Sequence, residues 1–237
     1  AIVGSGIKIV ETAGRSPEPF MELFKAYDVK VIHKCTSVRH SLKAQSVGCD
    51  AVTIDGFECA GHPGEDDIPS LVLLPQAAEA LDIPVVGCGG FSDAKSLVAA
   101  LALGAEGIAM GTRFMATKES LIHQNVKDKM TEADERSTNL MFRTMRNTAR
   151  VFKNTISDQV VEIESTGTST FEDVKDLVAG QRGRGVFEVG DLEAGIWSAG
   201  ISVARVKDVP TCEELVSRLV SDAEAIMDGR LKEVRAS

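Results

Sequence analysis

Five short apolar runs rich in β-branched residues recur along the first half of the chain: Ile7 to Thr12, Val29 to His33, Ala51 to Ile54, Pro84 to Cys88 and Gly107 to Met110. Between them, Pro19 to Ala26, Val38 to Val47, Ser70 to Leu81 and Ala94 to Leu103 place apolar residues at helical spacing. Strand and helix thus alternate, the rhythm of a parallel sheet with crossover helices. Ser92 or Asp93 is placed to cap the fourth helix, and Gly48 and Gly104 stand where helices end in a left-handed turn.

After Phe114 the rhythm stops. From about Thr117 to Lys153 the pattern predicts a charged amphipathic helix pair, with Ser137 as a cap between the two. A polar stretch, Glu164 to Ser169, precedes a helix near Phe171 to Ala179, and the Gly and Arg cluster from Gly180 to Gly185 reads as loop. A last helix, Cys212 to Met227, carries Leu215, Leu219 and Ile226 near one face and could dock back on the first region.

Five βα units admit an open doubly wound sheet or part of a (β/α)8 barrel. Glycine placement separates them, because open sheets carry the phosphate loop after the first strand and barrels after the last two. Here the glycines are late: Gly87, Gly89 and Gly90 close the fourth strand, and Gly111 with Thr112 closes the fifth. The expectation is an α/β fold of the TIM (β/α)8 type with about five of eight units present. The missing three correspond to roughly 90 residues at ~31 per unit. Together with an opening at Ala1 instead of Met, this predicts an N-terminally incomplete barrel, residues 1–118 and 202–237, with an inserted helical domain at 119–201. An open barrel exposes strand edges, which favours association into a homo-oligomer.

Composition narrows the class. The 237 residues are 43% hydrophobic and 26% charged, enough to bury a core, and 26 basic against 35 acidic side chains leave a net charge of −9. Such a balance argues against a grip on phosphate backbones, so nucleic acid is not expected as a partner. The longest charge-free stretches, Ile68 to Ala78 and Ala194 to Ala204, have eleven residues each, far short of the roughly 20 that span a bilayer. No membrane partner is expected. Five cysteines, odd in number and without CxxC spacing, suit a reducing compartment, and the cytoplasm is inferred.

The two late glycine turns can offer backbone N–H groups to a phosphate, with the helix from Asp93 adding its positive end. Read singly, each is an ordinary turn; two on consecutive strands favour a phosphate-bearing cofactor. The segment from Asp55 to Asp67 follows the third strand at the end where barrel chemistry sits. Its glycines at 56, 61 and 64 allow close backbone approach, and His62 supplies a side chain whose proton moves near neutral pH. His62 is the candidate base, against the alternative of a surface-loop histidine beside acids. Cys59 and His62 lack a second pair at ligand spacing, so no metal is expected. Lys34 and His33, as neighbours on a strand, point to opposite faces, and only one can enter the barrel mouth. Lys34 there would bring a positive charge able to stabilise an anionic form of a bound cofactor; the alternative is a solvated strand-end lysine. His33, His40 and His123 read as structural.

The run VIHKCT at 31–36, DGFECAGHPGEDD at 55–67, GCGGF at 87–91 and ALGAEGIAMGTRF at 102–114 resemble the nitronate monooxygenase family, formerly the 2-nitropropane dioxygenases. The resemblance continues through 147–151, 180–184 and 195–200, where it looks most like the NADH:quinone reductase branch. It implies a TIM barrel with a helical second domain and one noncovalent FMN. Gly89, Gly90, Gly111 and Thr112 would hold the phosphate, Lys34, Asp55 and Ala60 would line the flavin, and His62 would be the catalytic histidine. The implied enzyme is an FMN-dependent oxidoreductase. It would act on a small molecule, either an alkyl nitronate with dioxygen or NADH, as electron donor, with a quinone. The alternatives are a flavin-dependent enoyl reductase, which shares the fold, and a noncatalytic truncated barrel. The family's first strands, which help hold the flavin ring, have no counterpart in this chain.

Overall fold

The computed structural model describes residues 2–234. Contacts within the chain group them into two compact units, one of residues 1–57, 68–88 and 99–109, the other of residues 58–67, 89–98 and 110–237. This grouping differs from a division at 118 and 202: two loops that follow barrel strands, and the C-terminal helix, belong to the second unit.

In the first unit, β1 (Ile9–Ala13), β2 (Lys30–Cys35), β3 (Ala51–Asp55), β4 (Val85–Cys88) and β5 (Gly107–Ala109) form one parallel sheet in sequence order. The connecting helices are α1 (Glu18–Ala26), α2 (Val38–Ser46), α3 (Ser70–Ala80) and α4 (Ala94–Ala102). All nine elements fall within a few residues of the segments expected from periodicity. Gly48 and Gly104 take φ of 90° and 92° after α2 and α4, and Asp93 Oδ1 accepts the Ser96 N–H at 3.0 Å as the α4 cap.

The sheet has two unlike faces. Val31, His33, Cys35, Val52, Ile54 and Val85 lie on the helix side and are 0–6% exposed. The opposite face carries Glu11, Ile32, Lys34, Thr53, Asp55, Val86 and Cys88, brought into line by the registers Glu11↔Ile32, Lys34↔Thr53, Thr53↔Val86 and Asp55↔Cys88. Most of these are only half-buried. A barrel's interior face is built of such inward residues, and the five βα units are those of a TIM-type barrel.

The second unit departs from expectation in two places. The helix pair over 117–153 is one helix followed by a hairpin: α5 (Thr112–Met115) and α6 (Gln124–Thr131) precede the antiparallel strands β6 (Thr138–Met141) and β7 (Ala149–Phe152). Arginines at 143, 146 and 150 imitate helical spacing, but Phe142 and Arg146 adopt φ of 62° and 51°, which no helix passes through. The strand Ala149–Phe152 is buried along its whole length. Next come α7 (Thr155–Glu164), with Asn154 and Ser157 forming a capping box, and the four-residue α8 (Phe171–Val174), shorter than the pattern suggested.

The Gly and Arg cluster is no loop. It is the first part of α9 (Gly180–Val189), ended by Gly190 in the left-handed conformation. A side chain at Gly183 would meet the Ile196 carbonyl oxygen at 2.6 Å, so the glycine lets that helix approach the following segment. Phe152 stacks on Trp197 at 4.2 Å between centroids, with Phe187 edge-on at 6.4 Å, and Val126, Met130, Val186 and Val203 complete that core. The C-terminal α10 (Cys212–Asp228) is capped by Thr211 and packs Ala223 with Ala94 and Val98. Among the described residues, no helix is long and apolar enough to cross a membrane.

Candidate active site

In the first unit the half-buried sheet face gathers charge. Lys34 lies on this face and His33 on the other, as strand alternation requires. The His33 ring is buried against the helices, 2.8 Å from Thr12 Oγ1, and burial lowers its pKa. Lys34 Nζ stands 3.5 Å from Glu11 Oε2, and the other Glu11 oxygen accepts the Thr53 hydroxyl at 2.8 Å. Burial works against the lysine's charge, but Asp55, Cys88 and Glu11 outweigh it and the pKa rises. Lys34 is therefore a cation at neutral pH.

Asp55 ends β3 at 8% exposure. Its Oδ1 is buried without a hydrogen-bond partner. Burial raises its pKa, opposed by the Cys88 thiol and by Lys34. A buried acceptor left unmade is expensive, and this oxygen is free to accept an N–H or O–H.

In the second unit the two glycine turns and the loop at 58–67 meet. Gly89 and Gly90 take consecutive φ of 85° and 87°, a backbone open to glycine and strained for other residues. A Cβ at Gly90 would press on Glu58 Cβ at 3.3 Å. Thr112 is buried, and its hydroxyl oxygen accepts the Gly200 N–H at 2.9 Å, which leaves the hydroxyl proton to be donated elsewhere. Gly200 is wedged: a Cβ there would sit 2.8 Å from the Glu58 carbonyl oxygen and 3.3 Å from Ala60 N. Gly111 has an ordinary φ of −94°, and no protein atom lies within 4 Å of where its Cβ would be. Neither its backbone conformation nor a neighbouring atom demands glycine at 111, and the space beside it is open.

His62 follows Gly61 on the same loop and is exposed. Gly61 and Arg150 exchange two backbone hydrogen bonds, at 3.0 and 2.6 Å, so the loop is pinned next to the histidine. Of the residues singled out from sequence, Lys34 and Asp55 meet in the first unit, and Ala60, Gly90 and Thr112 meet in the second around Glu58 and Gly200. Glu11 and Gly200 were not foreseen. Glu11 becomes visible only once β1 is placed in register beside β2, and Gly200 only once the distant Thr112 is found behind it. Among the described residues no group of three or more His, Cys, Asp and Glu side chains is arranged to hold a metal.

In the second unit the arrangement suits a phosphate-bearing group: Gly90 holds a left-handed φ of 87°, the Thr112 hydroxyl keeps a proton to donate, and the space beside Gly111 is open.

Residues 2–222 match the family described as nitronate monooxygenase. The chain is 28% identical over 265 residues to (3aS,4S,5R,7aS)-5-hydroxy-7a-methyl-1-oxo-octahydro-1H-indene-4-carboxyl-CoA dehydrogenase of Rhodococcus jostii, covering 94% of this chain and 72% of that protein. It is 28% identical over 213 residues to a probable nitronate monooxygenase of Bacillus subtilis, covering 87% of this chain and 61% of the relative. Among solved structures, FabK from Thermotoga maritima superposes with a TM-score of 0.91 at 26% identity, over 98% of this chain and 73% of FabK.

Proposed function

The chain belongs to the nitronate monooxygenase family of flavin-dependent oxidoreductases, and from that membership we propose that it holds FMN and uses it to oxidise a small molecule. The observation that carries the reading is the cradle of Gly89, Gly90, Gly111 and Thr112, whose N–H and O–H donors suit a phosphate. When bound, the flavin supplies the two-electron chemistry that side chains lack. The chain supplies binding, charge and proton handling.

In this reading the cradle anchors the phosphate while Asp55 Oδ1 accepts a hydrogen bond from the flavin. Ala60, small and on the loop beside the cradle, leaves room for the ring. Lys34 offers positive charge, and Glu11 fixes its ammonium on the sheet face while balancing part of that charge. His62 is the catalytic residue, taking the proton α to the nitro group of a nitroalkane or steadying the nitronate. With NADH and a quinone it would orient or protonate the acceptor. The expected organisation is a barrel domain of residues 1–118 and 202–237 with 119–201 inserted.

A second reading has its own support. The Rhodococcus jostii relative, similar over 94% of this chain, is a CoA-thioester dehydrogenase by name, which favours a thioester substrate, as in an enoyl reductase. Anaerobic mixing of the flavin-loaded chain with propyl nitronate, NADH, and NADPH plus an enoyl-CoA separates these readings by which reductant bleaches the flavin and which thioester restores its colour. Bleaching by none of them discards all three. Binding tests the cradle by itself: Thr112→Val should weaken FMN roughly tenfold or more, as expected for a lost charge-assisted hydrogen bond, while riboflavin, which lacks the phosphate, binds about as before.

A further inference from the structure

The loop that carries His62 is tied at three points to one neighbouring element, the hairpin of β6 and β7. Gly61, immediately before the histidine, forms the two-bond bridge to Arg150. Glu65, three residues after it, accepts from Thr148 twice, Oε1 from the backbone N–H at 2.7 Å and Oε2 from the hydroxyl at 2.7 Å. Asp67 closes the loop with Arg143 at 3.0 Å. The third contact is solvent-exposed on both sides and worth little. The second is not: Thr148 is 1% exposed, and hydrogen bonds to a carboxylate there are stronger than those between neutral groups.

Between the anchors at 61 and 65 only His62, Pro63 and Gly64 remain. Pro63 is buried and restricts the preceding residue to extended backbone. Gly64 makes the turn at φ 88°. His62 is exposed, so its backbone is held by these neighbours.

We infer that the β6–β7 hairpin sets the position of the His62 imidazole, with Thr148 and Glu65 as the positioning residues of the active-site loop. This rests on the catalytic role given to His62 above. Neither residue touches the reacting atoms; their effect passes through the backbone of residues 61–65.

Two variants and two measurements test it. Thr148→Val removes the hydroxyl bond and keeps the volume, and Glu65→Gln keeps the shape while losing one of the two acceptors. In flavin-free protein, hydrogen exchange over residues 58–67 should quicken about tenfold or more in both variants, with the parallel sheet unchanged. Unchanged exchange in the loop overturns the inference, and so does uniform acceleration across the chain. In flavin-loaded protein, Thr148→Val should slow flavin reduction by the reductant that bleaches it, roughly tenfold. In a His62→Asn background the same change should cost nothing further. An equal loss in both backgrounds shows a general structural role and overturns it. If His62→Asn alone reduces at the wild-type rate, the histidine's catalytic role falls and the positioning role with it, while retained flavin colour leaves the cofactor assignment standing.

Discussion

Two residues show how much of this site depends on single atoms. Gly200 has no room for a methyl group, since its Cβ would lie 2.8 Å from the Glu58 carbonyl oxygen, and its N–H is the bond that orients Thr112. Gly200→Ala should therefore destabilise the chain by about 1–3 kcal/mol, a fall of roughly 2–10 °C in melting temperature, and weaken FMN binding in parallel. A melting curve of the flavin-free variant with a flavin titration checks both. Asp55 makes the opposite prediction. Burial raises its pKa, so above the ordinary aspartate range the folded state holds a proton the unfolded state has lost, and stability falls as pH rises through that window. Asp55→Asn should raise the melting temperature of the flavin-free chain at pH 7 and flatten the decline seen from about pH 4 upward. The same change should weaken flavin binding, because a neutral amide oxygen accepts a hydrogen bond less strongly than a carboxylate.

Elements differ in how plainly the sequence announces them. The parallel strands and their helices were legible because each is a short, repeated signal: a β-branched run, an apolar helical stripe, a glycine at the stop. The hairpin at 138–152 was not, because arginines three and four residues apart imitate a helix and only the positive φ of Phe142 and Arg146 contradicts it. Glycine in α9 misled for a related reason, since a residue that marks a loop locally marks close packing globally. Gly183→Ala should cost about 1–3 kcal/mol through its clash with the Ile196 carbonyl, where a loop glycine of ordinary conformation would gain from the same change. Denaturant unfolding distinguishes the two. The left-handed turns at 61, 64, 89 and 90 were legible from glycine spacing, whereas Glu11, Gly200 and Thr148 make contacts across sequence separations of 23, 88 and 83 residues. Contacts of that kind leave no local trace.

Across the whole molecule, two features govern stability and solution behaviour. Asp208 joins the buried Arg113 at 2.7 Å and Arg218 at 2.6 Å. The hydrogen bond from Arg218 and the charge of Arg113 hold its carboxyl below the usual range. A carboxyl with a depressed pKa stabilises above its ordinary value, and that contribution is lost as pH falls. Asp208→Asn should cost about 1–2 kcal/mol at pH 7, discounted because the carboxylate is half-exposed, and the gap to the wild type should narrow as the pH falls below the ordinary aspartate range. Thermal melts at pH 7 and through the acid range decide. An outer strand is the second feature. Among the described residues β1 lies at the edge of its sheet, Ile9 on it is 62% exposed, and Phe20 on α1 and Tyr27 just after it are 57% and 54% exposed. Such an edge templates association, so sedimentation should show concentration-dependent self-association that Ile9→Lys reduces.

The backbone passes from one compact unit to the other after residues 57, 67, 88, 98 and 109. No single scission liberates either half as a continuous polypeptide, and a crossover between homologous genes anywhere from codon 57 to codon 109 would graft fragments of both. The two halves are therefore expected to be inherited, exchanged and synthesised together.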